Sequence, residues 1–160
     1  WPDAAIQSMQ WTFFHYCMPD GLDIFSPSFV TRFYDYCFAL ARFLRPFHSE
    51  LRPPVYTPIN EISFLSWAVC ETGLMYPHRG DRPDDGYALK QQLVRATIAA
   101  CDAIRAADPR ARMLVVDPVI HVDPGELDAH AEAACQNEYQ FQAWDMLAGR
   151  LEPQLGGCPK

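Results

Sequence analysis

Lysine is nearly missing from this chain: two occur in 160 residues, and the 13 Lys+Arg are outnumbered by 20 Asp+Glu, for a formal charge of -7. Each phosphate contact normally needs a Lys or Arg, so this shortage excludes nucleic acid as a natural partner. The chain also lacks a long apolar run. The uncharged stretch around its apolar centre, Ile62 to Cys70, is nine residues, far below the roughly 20 that a membrane-spanning helix requires, so no bilayer crossing is expected. None of the six cysteines, Cys17, Cys37, Cys70, Cys101, Cys135 and Cys158, forms a C-x-x-C pair, which removes zinc knuckles and dithiol redox motifs. Initiator methionine, basic n-region and apolar h-region are all lacking at Trp1-Pro2-Asp3-Ala4-Ala5. The N-terminus therefore reads as cut or processed.

Without a secretory signal the cysteines read as reduced thiols and the compartment as cytoplasmic. Cys37, Cys101 and Cys135 fall in helical patterns, as small apolar residues do. No internal repeat and no low-complexity tract occurs. With 49% hydrophobic, 13% aromatic and 21% charged residues the composition is that of one ordinary globular domain.

Gln10 to Phe14 is an aromatic, β-branched run that ends at His15 and is followed by the turn signal Pro19-Asp20-Gly21. Ser26-Pro27 supplies an N-cap and a first-turn proline, and Phe29, Phe33, Tyr36, Leu40 and Leu44 recur at helical spacing as far as Pro46. Val55 to Ile59 reads as a second strand, weakened by Pro58, and ends on Asn60-Glu61. Ile62 to Cys70 reads as a short helix or loop, and Tyr76 to Gly86 as a surface loop. A second long helix carries Leu89, Leu93, Ala96, Ala100, Ile104 and Ala107 and stops before Pro109. Met113 to Val116 is a third strand closed by Asp117-Pro118, with Val119 to Val122 extended beyond it. Pro124 to Leu151 reads as mostly helical, with Phe141, Trp144, Leu147 and Leu151 on one stripe. Strands alternating with helices predict an α/β fold with a parallel sheet.

In such folds the chemistry sits at the carboxyl ends of the strands. The residues closing the apolar runs are His15, Asn60 with Glu61, and Asp117, with His121 further on. A partly desolvated Glu suits general acid/base work, and a neighbouring Asn aligns a hydroxyl; the bland alternative for Glu61 is a helix cap. His15 is either a ligand-binding or a structural histidine. Trp67 and Tyr16 could stack on a sugar ring or pack as ordinary aromatics. Trp144 reads as core, and Asp117 and His121 either line the site or form a turn. Glu126 and His130, four apart, have no third partner for a metal, and no metal or cofactor is expected.

These residues resemble a known family. His15-Tyr16-Cys17-Met18-Pro19 is similar to the His-Trp-Asp-Leu-Pro segment that ends the third barrel strand of family 1 glycoside hydrolases. Thr57-Pro58-Ile59-Asn60-Glu61 resembles their Thr-Phe-Asn-Glu-Pro segment at the end of the fourth. The long helix between the motifs, the loop with Gly73 and Pro77, and the ending Leu155-Gly156-Gly157-Cys158-Pro159 fit the same β-glucosidase-like clan. Cys17, Ile62 and Pro58 depart from the pattern, standing where the family has Asp, Pro and no proline.

The resemblance implies that residues 1–160 are the central part, about strands 3 to 5, of one (β/α)8 TIM-barrel domain, a piece of a larger protein. It implies a retaining β-glycosidase of the β-glucosidase/β-galactosidase type that takes a carbohydrate, a β-glycoside, as substrate. Glu61 would be the acid/base, Asn60 would hold the sugar 2-hydroxyl, and His15 another hydroxyl. The nucleophile, on the family's seventh strand, would lie outside this chain, leaving the 160 residues alone without efficient hydrolysis. Two competitors remain: a non-catalytic carbohydrate-binding or degenerate barrel, and a metal-dependent hydrolase using His15, Asp117 and His121.

Overall fold

The computed structural model describes residues 9–50 and 52–157. Three parallel strands form one sheet in the order β1 (Gln10–Phe14), β2 (Val55–Ile59), β3 (Arg112–Met113). Between them run α1 (Pro27–Leu44), α2 (Ile62–Cys70) and α3 (Pro83–Ala107), and α4 (His130–Tyr139) and α5 (Gln142–Leu147) follow β3. The chain is thus α/β, with a small parallel sheet and long helices, as expected. Cys158 lies outside the described residues.

Local chemistry explains the boundaries. Ser26 caps α1, its hydroxyl accepting from the Ser28 amide at 3.2 Å with Pro27 in the first turn. Helix α1 stops at Leu44 and a single 3-10 turn, Arg45–Phe47, carries the chain past Pro46. The second long helix starts earlier than its apolar pattern suggested, because Pro83 opens it and Asp84 and Asp85 meet its positive end. The stretch expected to be surface loop as far as Gly86 is therefore helical from Pro83. It ends at Ala107, before extended Asp108 and Pro109.

Strand β2 spans Val55–Ile59 as read from the sequence, Pro58 included. The third strand is corrected: it pairs only at Arg112 and Met113 rather than from Met113 through Val116. The Arg112 and Leu114 amides donate to the Pro54 and Tyr56 carbonyls at 2.9 Å each. The next rung would be donated by residue 58, and proline has no N–H, so the ladder stops there. The segment after Pro124 is likewise not one helix. A 3-10 turn (Leu127–Ala129) and α4 and α5 divide it, leaving Phe141 exposed and Trp144 half-buried against it at 6.0 Å, while Leu147 is buried.

The core lies where α1 meets α3 and the sheet. Phe29, Phe33, Cys37, Ala41 and Leu44 form the buried face of α1, and Leu89, Leu93, Ala96, Ala100, Ile104 and Ala107 that of α3. Small residues on both faces let the helices approach closely. Phe14 meets Phe29 and Phe33 edge-on at 6.0 Å each, joining β1 to this seam. Truncating Phe29, 1% exposed, to alanine would cost about 4 kcal/mol. Arg45 donates to the Ala107 carbonyl at 3.2 Å, closing the end of α3 from the end of α1. Cys17, Cys37, Cys70 and Cys135 are free thiols; Cys37 and Cys101 are buried, but Cys135 faces solvent from the weakly amphipathic α4. Among the described residues no helix is long and apolar enough to cross a membrane.

Candidate functional site

The parallel strands deliver His15, Asn60 and Glu61 to one end of the sheet. Phe14 pairs with Ile59 at the last rung, and the Asn60 amide donates to the Phe14 carbonyl at 2.9 Å. That register sets the two following side chains beside each other: Asn60 Nδ2 lies 3.1 Å from His15 Nε2. With the carboxamide nitrogen donating, the imidazole carries its own proton on Nδ1. The Asn60 oxygen and the His15 Nδ1–H then remain as one acceptor and one donor, the pair a hydroxyl-bearing ligand needs. Tyr16 stacks on His15 with ring centroids 3.8 Å apart at 21°, and its ring is exposed.

Glu61 occupies the turn between β2 and α2 in the left-handed region, φ 50° and ψ 64°. A residue with a Cβ pays for this conformation, which persists only where its surroundings enforce it. Its amide donates to the Val116 carbonyl at 3.1 Å and its carbonyl accepts from Leu65 at 2.8 Å. Its side chain makes no capping hydrogen bond, although it holds the N-cap position. The helix-cap role falls instead to Asp117, whose two carboxylate oxygens accept from the Ser63 amide at 3.0 and 3.1 Å. Burial pushes the Asp117 carboxyl above its ordinary pKa, opposed by the Ser63 hydrogen bonds and by the charge of Lys90.

Lys90 escaped the sequence reading. It is buried within α3 and donates to Gln142 Oε1 at 2.8 Å. Burial lowers its pKa, and the charges of Asp117 and Glu71 oppose that shift. The signal was present: one of only two lysines falls on the helical face otherwise marked by Leu89 and Leu93.

A half-open cavity of about 890 Å³ lies between α2, the start of α3, residues 118–122 and α4, and its lining includes Phe64, Trp67, Tyr87, Lys90 and Tyr139. Trp67 is 43% exposed and tilted on Phe64 at 5.6 Å, so it is not a core residue. Its cavity does not include His15, Asn60 or Glu61. The structure therefore groups Tyr16, but not Trp67, with the strand-end residues.

The other sequence candidates disperse. His121 is exposed and faces Asp123 at 3.0 Å, while Asp117 is engaged with Ser63. Among the described residues no group of three His, Cys, Asp or Glu could hold a metal ion, Glu126 and His130 included.

No protein-family model and no curated protein matches the chain. Its fold is shared by a solved structure, the AHE enzyme from Alicyclobacillus herbarius, with a TM-score of 0.76 at 16% sequence identity. The superposition covers 91% of this chain and 33% of that one, so the chain spans about a third of the neighbour's length. At this identity the likeness concerns the fold.

Proposed function

We propose that residues 1–160 are the central part of a (β/α)8-barrel retaining β-glycosidase, a β-glucosidase/β-galactosidase-like member of family 1 of the glycoside hydrolases, in which Glu61 is the general acid/base. One observation carries this reading: a carboxylate released from helix capping stands at the same strand end as a hydrogen-bonded His15–Asn60 pair. The resemblance of the two sequence motifs and the three parallel βα units, matched to a third of a longer enzyme chain, support it.

On this reading His15 and Asn60 hold hydroxyls of the sugar bound at the cleavage site, with Tyr16 beside them, while Trp67 serves a more distant part of the substrate. Glu61 donates its proton to the glycosidic oxygen as that bond breaks. A second carboxylate, roughly 5 to 5.5 Å away and supplied from outside these residues, attacks the anomeric carbon. Glu61 then takes a proton from the water that releases the sugar. The reaction needs no cofactor, and the free thiols of Cys17, Cys37, Cys70 and Cys135 favour a reducing, cytoplasmic setting.

The test is hydrolysis of an aryl β-glycoside by the full native polypeptide, alongside its Glu61→Gln variant and the 160-residue chain. The expected result is activity in the first only, with the Glu61→Gln rate down about 10²–10⁴-fold and a covalently trapped glycosyl group mapping outside residues 1–160. Sugar binding without turnover in the full polypeptide would favour a non-catalytic carbohydrate-binding barrel. A glycosyl adduct trapped on the 160-residue chain itself would overturn the assignment of the nucleophile.

A further inference from the structure

We propose that Asp117 is a positioning residue for Glu61: by closing the start of α2 in its place, Asp117 locks the left-handed turn and leaves the Glu61 carboxylate free. The inference rests on the reading of Glu61 as the acid/base, but its geometry stands separately. A helix start has amides in need of an acceptor, and the side chain at the N-cap position ordinarily supplies it. Here that position belongs to Glu61, whose side chain does not serve. The acceptor comes from the segment after β3, 54 residues along the chain, and both its oxygens face the Ser63 amide.

The adjacent residue completes the clamp. Val116 accepts the Glu61 amide at 3.1 Å, so consecutive positions of the segment after β3 grip residues 61 and 63 from one side. Ile62 between them is fully buried. A turn fixed at both ends and pinned in the middle can hold a non-glycine residue in a conformation it would otherwise leave. The charge of Lys90, buried on α3, favours the ionised form of Asp117. Removing the carboxylate frees the Ser63 amide, and Glu61, which holds the N-cap position, would swing back to cap it and leave the strand end.

The experiment compares Asp117→Ala with Asp117→Asn, which keeps one carbonyl oxygen facing Ser63, in the full native polypeptide. Two readouts are taken: hydrogen exchange of the Ser63 amide with the carbon-13 shift of the Glu61 carboxyl, and the kcat and KM of aryl β-glycoside hydrolysis. In Asp117→Ala, Ser63 exchange rises at least 10-fold, the Glu61 carboxyl shift moves, and kcat falls at least 10-fold at nearly constant KM; Asp117→Asn restores most of each. An unmoved Glu61 carboxyl shift in Asp117→Ala, or an Asn variant as impaired as the alanine, overturns the proposal. Should Asp117→Ala not fold, Asp117→Asn decides against Asp117→Ser, whose shorter side chain cannot span to Ser63 and is expected to behave as the alanine would. If no variant and no wild type hydrolyses a glycoside, the glycosidase reading fails, while the Ser63 and Glu61 resonances still decide the positioning.

Discussion

Asn60 Nδ2 sits 3.1 Å from His15 Nε2, a bond made because β1 and β2 pair in parallel and end together at Phe14 and Ile59. The two side chains come from segments 45 residues apart and meet through the sheet register, with the adjacent Tyr16 ring stacked on His15. If the pair reads sugar hydroxyls, His15→Ala and Asn60→Ala each lower kcat/KM on a β-glycoside by about 10–100-fold, the range for a lost hydrogen bond at an otherwise intact site. The double variant loses less than the product of the two, because the residues act as a unit. Independent, multiplicative losses would mean that the bond has no part in binding.

The left-handed backbone at Glu61 gives a second prediction. Replacing Glu61 with glycine removes the Cβ strain at φ 50°, and no capping bond is lost with the side chain. The relief is about 1 kcal/mol, offset in part by the greater freedom of glycine in the unfolded chain. Glu61→Gly is therefore at least as stable as wild type in urea denaturation, while on the proposed acid/base reading it loses hydrolysis. A clear drop in stability would show that the carboxylate holds the fold together after all.

Much of the strand-end site was legible because strand termini announce themselves: an apolar run stops at a polar residue, as at His15 and Asn60. What each residue does there was less so. The cap on α2 comes from Asp117 rather than from the residue at its own start, a nonlocal substitution that no spacing rule contains. Proline produced both a misjudgement and its explanation. Pro58 leaves β2 intact but silences one rung toward β3, so the cost appears in the partner strand. Trp67, flanked by apolar residues, reads from sequence as either a stacking or a core aromatic, and the helical rotation places it at a cavity wall.

His48 supplies a pH-dependent test of stability. Its ring is buried, neither nitrogen has a partner, and it stands edge-on to Tyr56 at 6.3 Å. Burial lowers its pKa, with Arg110 acting the same way and Asp108 opposing. Between the folded value and the ordinary value of about 6.5, the unfolded chain takes up a proton that the folded chain refuses. Stability is therefore present above pH ~6.5 and declines as pH falls through that window. His48→Phe keeps the ring contact and removes the titration, so its urea midpoint changes less between pH 7.5 and 5.5 than that of wild type. Equal slopes in the two proteins would refute the assignment.

Asp108 and Arg110 form a second electrostatic centre at the opposite end of β2 from Glu61. Arg110 donates from Nε and Nη2 to the two oxygens of fully buried Asp108 at 2.9 and 2.8 Å, and from Nη1 to Glu50 at 2.8 Å. These bonds from Arg110 hold the Asp108 carboxyl below its ordinary pKa. The stabilisation is complete above the unfolded carboxylate value of about 3.9 and is lost as pH falls through the folded value, so it is intact at neutrality. Asp108→Ala removes the buried acceptor and its charge-assisted bonds, which costs about 2 kcal/mol, while Arg110, partly exposed, keeps Glu50 as a partner. Asp108→Ala measured at pH 7 should show that loss as a lower denaturant midpoint at unchanged slope. A loss under about 1 kcal/mol would place the pair with ordinary surface ion pairs.

The 160-residue chain prepared alone is expected to self-associate. Its sheet has β1 and β3 as edges, each with a row of backbone groups unpaired among the described residues, and parallel edges of this kind template further pairing. Tyr36 and Phe43 of α1 and Phe47 of the 3-10 turn after it are exposed, and Val119 and Ile120 stand exposed beyond β3. The Phe43 and Phe47 rings lie 5.7 Å apart and form one apolar patch. In a closed barrel both edges would be paired and neighbouring helices would cover α1. Light scattering at micromolar concentration should therefore give a mass above 18.2 kDa that grows with concentration, and Phe43→Lys with Phe47→Glu should reduce it without closing the sheet edges. A concentration-independent monomer with a cooperative melt would mean that this sheet is sufficient by itself, and would weigh against the partial-barrel reading.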